Sequence, residues 1–153
     1  MSQRDYLLRL AEEFGGVLAQ VLYDKQIKDY AAAHKLIDEQ SKQIFGMGIG
    51  FMLSMPEESL LSMLTSFDKL DTEKCWLLAL LLKAEGDIYE EQGNASESYY
   101  GNVRSLDLFL EVLLLDRASG EKSIIPEIDE LLDRLHDYEL PVRTRSLLEK
   151  AQI

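Results

Sequence analysis

A single cysteine, Cys75, carries all the thiol chemistry of this chain, so no intramolecular disulfide framework and no cysteine-rich metal knuckle can form. Histidine is almost as scarce, and His34 has no second His or Cys at a ligand spacing, which argues against a metal centre. Long apolar runs are missing too. The run from Cys75 to Leu82 is far short of the roughly 20 apolar residues that cross a bilayer, and no basic stretch followed by an apolar one opens the chain. These features lead us to expect a soluble cytoplasmic protein with no membrane partner. Basic side chains are the minority, 16 against 28 acidic ones, and the formal charge of -12 repels phosphate backbones. Nucleic acid is therefore excluded as a partner. The stretch GMGIGFMLSM (46–55) is neither a phosphate-binding loop, since no Gly-Lys-Ser/Thr follows, nor a dinucleotide fingerprint, since no strand precedes it. With no nucleophile elbow, no HExxH and no Glu-x-x-His pattern, the sequence nominates no catalytic residue, cofactor or metal ligand, and a non-enzyme is expected.

What is present is helical periodicity, strongest from Asp71 to Asp116. Asp71 suits an N-cap, and Gly93 can supply the left-handed residue that ends a helix begun at Thr72. Asn94, with Glu97 three residues on, is a capping-box pattern that starts the next helix at once. So short a turn forces antiparallel neighbours. Cys75 to Leu82 is apolar on every side and should form the centre of the core, with Cys75 a small buried hydrophobe rather than a nucleophile. At roughly 1.5 to 3 kcal/mol per fully buried large side chain, that octad outweighs any surface interaction.

Gly86, Tyr89, Gly93, Ser98 and the pair Ser105-Leu106 fall at the offsets where a tetratricopeptide repeat places Gly, Tyr, Gly, Ala and Ala-Leu. The segment thus resembles that repeat, as does KDYAAAHKLID through Tyr30 and Ala33. Glu85 stands where the repeat usually has Leu, and Asn102 where it prefers a large apolar residue. With RDYLLRLAEEFG, EGDIYEEQG and DYELP, the whole chain also resembles a family of small bacterial proteins with tetratricopeptide-like helices and no assigned function. The resemblance implies a fold of stacked helical hairpins and brings no mechanism.

Along the rest of the chain, Ser2 and Asp5 form a weak capping-box variant. Leu7, Leu10, Ala11, Phe14, Val17, Leu18, Val21 and Leu22 then mark a first helix. Gly15-Gly16 inside it costs about 1 kcal/mol per glycine, suggesting a close crossing or a kink. A second helix, from about Gln26 to Phe45, shows Tyr30, Ala33, Ile37 and Ile44 on one stripe, with Gly46 as its stop. Residues 46–55 read as a tucked connector or as an adaptable Met-rich contact surface. Ser54 and Glu57 suggest a capping box for a short helix with Pro56 in its first turn. Gly101 marks a close approach in the hairpin's second helix. Arg117 to Lys122 reads as a loop, followed by a helix near Pro126 with Ile125, Ile128, Leu131, Leu132 and Leu135 on one stripe, His136 beside it. A sparse last helix follows Pro141, using Val142, Leu147 and Leu148.

The chain is expected to be one all-α domain, residues 1–153, of antiparallel helical hairpins stacked in a tetratricopeptide-like arrangement with about seven helices. Function then rests on the repeat analogy, under which Lys83, Asp87 and Glu90 line the concave face. That mixed-to-acidic set suits a basic or amphipathic protein segment rather than a peptide carboxylate. The expected role is an intracellular protein–protein interaction module. Self-association as a homodimer, through the Met-rich stretch or the terminal helix, is the alternative, ahead of small-molecule binding or enzymatic activity.

Overall fold

The computed structural model describes residues 3–117 and 123–153 and is all-α apart from one small β-hairpin. Among the described residues there are eight helices, against about seven expected. The expected capping at Ser2 and most of the expected loop, residues 118–122, lie outside the described residues. Met1–Met52 and Leu53–Ile153 form two compact units.

In the first unit, α1 (Gln3–Gln26) packs on α2 (Tyr30–Phe45). The boundary lies later than the periodicity suggests. Lys28 adopts a left-handed conformation and Asp29 caps α2, its carboxylate accepting from the Ala32 amide at 3.2 Å. Ala33 and Ile37 are fully buried on α2, with Ile44 below them, against Phe14 and Val21 of α1. Gly15-Gly16 does not make the close crossing its composition suggests. A Cβ at either position would meet nothing within 4 Å. Gly46, at φ 77°, ends α2 by donating to the Lys42 carbonyl.

The Met-rich stretch folds into the additional helix, α3 (Ile49–Ser54). Asp38 starts it by accepting from the Ile49 amide at 2.9 Å, and the Lys42 ammonium, with that amide, keeps the Asp38 carboxyl below its usual range. Met52 is fully buried, with Ser41 Oγ 3.3 Å from its sulfur. The stretch is thus tucked through Ile49 and Met52, while Phe51 stays outside.

In the second unit, α4 (Glu57–Met63) begins behind Pro56 with no side-chain cap. The Ser54–Glu57 capping box does not form. The Glu57 carboxylate faces Arg104 and Arg143 instead. Next comes a hairpin, β1 (Thr65–Ser66) antiparallel to β2 (Lys69–Leu70), and then α5 (Thr72–Glu91) and α6 (Ala95–Leu115). Asp71 caps α5, accepting from the Lys74 amide at 3.1 Å. Gly93, at φ 76°, closes it with the paired bonds Asn94 N to Tyr89 O and Gly93 N to Glu90 O. The Asn94 side chain then accepts from the Glu97 amide. Because the Asn94 amide is spent on Tyr89, only half of the expected capping box is made.

Leu78, Ala79, Leu81 and Leu82 of α5 and Leu106, Leu108, Phe109, Leu110 and Leu113 of α6 are fully buried. Helices α7 (Ile125–Arg134) and α8 (Val142–Lys150) also pack on α6. α7 inserts Ile128 and Leu131, with Leu135 just beyond its end. On α8, Leu147 is buried as expected, but Val142 is exposed and its place is taken by Thr144.

At the middle of the α5–α6 contact, a Cβ on Gly101 would lie 3.3 Å from Gly86 Cα, and one on Gly86 would lie 2.5 Å from Asn102 Oδ1 and 3.3 Å from the Asn102 backbone nitrogen. Gly86→Ala is expected to cost about 1–3 kcal/mol through this overpacking. Gly15→Ala, in open space within a helix, should instead stabilise by about 0.5–1 kcal/mol. Chemical denaturation of the two variants checks both signs.

Candidate protein-binding face

Three polar side chains of α6 line its seam with α5. Ser98 Oγ donates to the Gly86 carbonyl at 2.8 Å and Ser105 Oγ to the Ala79 carbonyl at 2.6 Å. Between them, Asn102 Nδ2 donates to Ser98 Oγ at 3.2 Å. All three are buried. Asn102, which replaces the large apolar residue of the repeat pattern, thereby leaves its carbonyl oxygen available to Arg134 of α7, whose Nη1 donates to it at 3.3 Å and to the Lys83 carbonyl at 3.2 Å.

Lys83, Asp87 and Glu90 lie on successive turns of α5, but the first two of them are met by charged side chains of α7. Lys83 is buried, and its ammonium is gripped by Glu127 and Glu130. That contact keeps the Glu130 carboxyl below its usual range. Asp87 faces Arg134 at 3.8 Å. These two therefore hold α7 in place. Glu90 is exposed and lies at the mouth of a cleft of about 110 Å³ whose lining also includes Tyr99, Asn102, Arg134, Leu135 and Tyr138.

The cleft is aromatic on one side. The Tyr99 and Tyr138 rings are 5.4 Å apart, and Tyr99 meets Tyr100 edge-on at 5.9 Å. Tyr99 OH donates to the Glu139 carbonyl at 2.9 Å, tying the connection between α7 and α8 to the start of α6. Tyr100 and Tyr138 remain exposed. Sequence reasoning missed this grouping, because Tyr138 comes from a turn some forty residues distant from Tyr99, a separation no periodicity spans. The polar seam was readable: Ser98, Asn102 and Ser105 recur at helical spacing within an apolar helix.

A second polar cluster joins α4, α6 and α8. Arg143 pairs with Glu57 and, through Nη2, with Glu111 at 3.1 Å. Arg104 Nη1 donates to the Met55 carbonyl at 2.8 Å and faces Glu57 at 3.9 Å. Thr144 Oγ1 donates to Asp107 Oδ1 at 2.7 Å. Burial, and then the neighbouring Glu57, push the Asp107 carboxyl up to about 8. Cys75 is fully buried beneath, its Sγ 3.7 Å from the Leu108 carbonyl, and burial pushes its thiol up to about 12. It is packed as a hydrophobe, and an added thiol reagent is expected to label it only as fast as the unit unfolds.

No helix among the described residues is long and apolar enough to cross a membrane, and no group of three His, Cys, Asp or Glu side chains among them is placed to hold a metal ion. No family model, curated protein or solved structure matches the chain.

Asp107 ordinarily titrates near 3.8 but keeps its proton to about 8 in the fold. Between these values the folded state binds more protons than the unfolded one, so stability falls as pH rises across that window. Asp107→Asn, which keeps an acceptor for Thr144, should flatten this dependence and leave the variant more stable than wild type above pH 8. Thermal melts across the pH range measure it.

Proposed function

We propose that the chain is an intracellular, cytoplasmic protein-binding module of tetratricopeptide-like hairpins, and that it holds a basic amphipathic segment of a partner protein at the Glu90 end of α5. The observation carrying this reading is the cleft where Tyr99 and the exposed Tyr138 lie beside an acidic rim residue, Glu90. Tyrosines offer large, stiff contact area at low entropic cost and are enriched where partner chains bind. The acidic rim and the formal charge of -12 attract Lys and Arg side chains and repel nucleic acid. Lys83 and Asp87, which the repeat analogy nominates beside Glu90, act behind this surface by holding α7 under it. The contact of Gly86 with Gly101 and the small Ser98 at the crossing support the hairpin analogy. The reading is of a binding module rather than an enzyme, since the buried carboxylates of Glu57 and Asp107 are engaged by Arg143 and Thr144.

Synthetic peptides test this directly. Fluorescence anisotropy with a labelled Lys/Leu amphipathic peptide should show saturable binding that weakens at least about tenfold, or 1.4 kcal/mol, in Glu90→Lys and in Tyr138→Ala. A charge-inverted Glu/Leu peptide should not bind. Equal binding of both peptides, or affinity unchanged in the two variants, would remove the support for this surface.

A further inference from the structure

The hairpin before α5 is built against the preference of its own residues. Its two turn residues, Phe67 and Asp68, have φ of 52° and 61°. Two successive positive φ values are the signature of the tight hairpin turn that normally uses Asn-Gly. A bulky residue there is a real outlier, costing on the order of 1–3 kcal/mol. In return the turn carries the phenyl ring of Phe67 at 98% exposure, the most exposed large hydrophobic side chain among the described residues. An apolar ring held outward on a strained turn has no use to the fold that carries it.

The same end of this unit has a hollow of about 410 Å³ between the start of α5 and the end of α6, lined by Thr72, Trp76, Val112 and Ile124 and edged by Glu73 and Asp116. Its volume lies in the range of clefts that take small-molecule ligands, so a single phenyl ring fits within it. Trp76 lines it, and its indole offers an aromatic surface against which a second ring can pack. Thr72 is five residues beyond Phe67, so ring and hollow lie within about 18 Å along the chain. Lys69, next to the turn, matches in charge the acidic edge formed by Glu73 and Asp116.

We infer that two copies of this chain pair about a two-fold axis, each inserting Phe67 into the Trp76 hollow of the other. A knob and a hollow on one end of a molecule suit this closed exchange, because a single rotation satisfies both at once. Each phenyl brings about 150–250 Å² of burial, so the contact is of the small, reversible class. The inference is independent of the peptide-binding reading, which concerns the opposite end of α5.

Sedimentation velocity on the full chain, from micromolar to near-millimolar concentration, should show the average mass rising toward twice that of one chain. Over the same range the emission of Trp76, the only tryptophan, should shift with association. Phe67→Asn, alone or with Asp68→Gly, should be folded, more stable than wild type, and monomeric throughout. Glu73→Lys should weaken pairing, and adding Lys69→Glu should restore it. A wild-type monomer at every concentration, a dimer that survives Phe67→Asn, or association without change at Trp76 would each overturn the inference, the first also leaving Phe67 for a different partner.

Discussion

The second unit depends on how closely α5 and α6 approach at Gly86 and Gly101. With no side chain on either residue, Gly86 Cα comes within 3.3 Å of a Cβ built on Gly101, and Ser98 and Ser105 can reach across to carbonyls of α5. An added methyl at Gly86 would strike Asn102, the residue whose carbonyl oxygen receives Arg134. The crossing therefore governs more than two helices. It sets the position of Asn102, through Asn102 the position of Arg134, and through Arg134 and the Lys83 ion pairs the seat of α7 on which the tyrosine cleft rests.

The helices themselves were legible because their signals are local. Asp71 and Asn94 cap where their spacing says they should, Gly46 and Gly93 stop their helices, and Cys75, Leu77, Leu78, Ala79, Leu81 and Leu82 are buried in the core, although Trp76 and Leu80 of the same run are only half-buried. Failures occurred where a side chain had a better offer from afar. Glu57 could have closed a capping box on Ser54, but the guanidinium of Arg143, far along the chain, takes its carboxylate. Gly15-Gly16 reads as a crossing only if another backbone lies opposite, and none does.

The site was harder to read for a related reason. Helical offsets correctly put Lys83, Asp87 and Glu90 on one face of α5, yet the same face is what α7 needs in order to pack, and the complementary charges Glu127, Glu130 and Arg134 become visible as partners only once α7 is placed. A charge on a helix face signals a partner of opposite sign without saying whether it belongs to the same chain. The burial of Lys83 is decisive, because a long cationic side chain is fully withdrawn from water only when its charge is met. Glu90, a turn further along, lies beyond this cover and keeps its access to solvent.

α7 and α8 reach α6 by different physics. α7 offers Ile128, Leu131 and Leu135 and is held mainly by apolar area, with ion pairs at its margin. α8 contributes only Leu147 from its apolar stripe, and with so little area a helix could slide or rotate at small cost. Directional bonds supply what the area does not: Thr144 to Asp107, Arg143 to Glu57 and Glu111, and Arg117 Nη1 to the Ala151 carbonyl at 2.7 Å, just past the end of the helix. Such bonds contribute little net stability when buried but admit few alternative registers. Three carboxylates and two guanidiniums meet there, and with Asp107 protonated their charges cancel. The proton on Asp107 is therefore part of the joint, and the seat of α8 is one place in this unit where solution pH acts on the fold, as the Lys83–Glu130 pair under α7 is another.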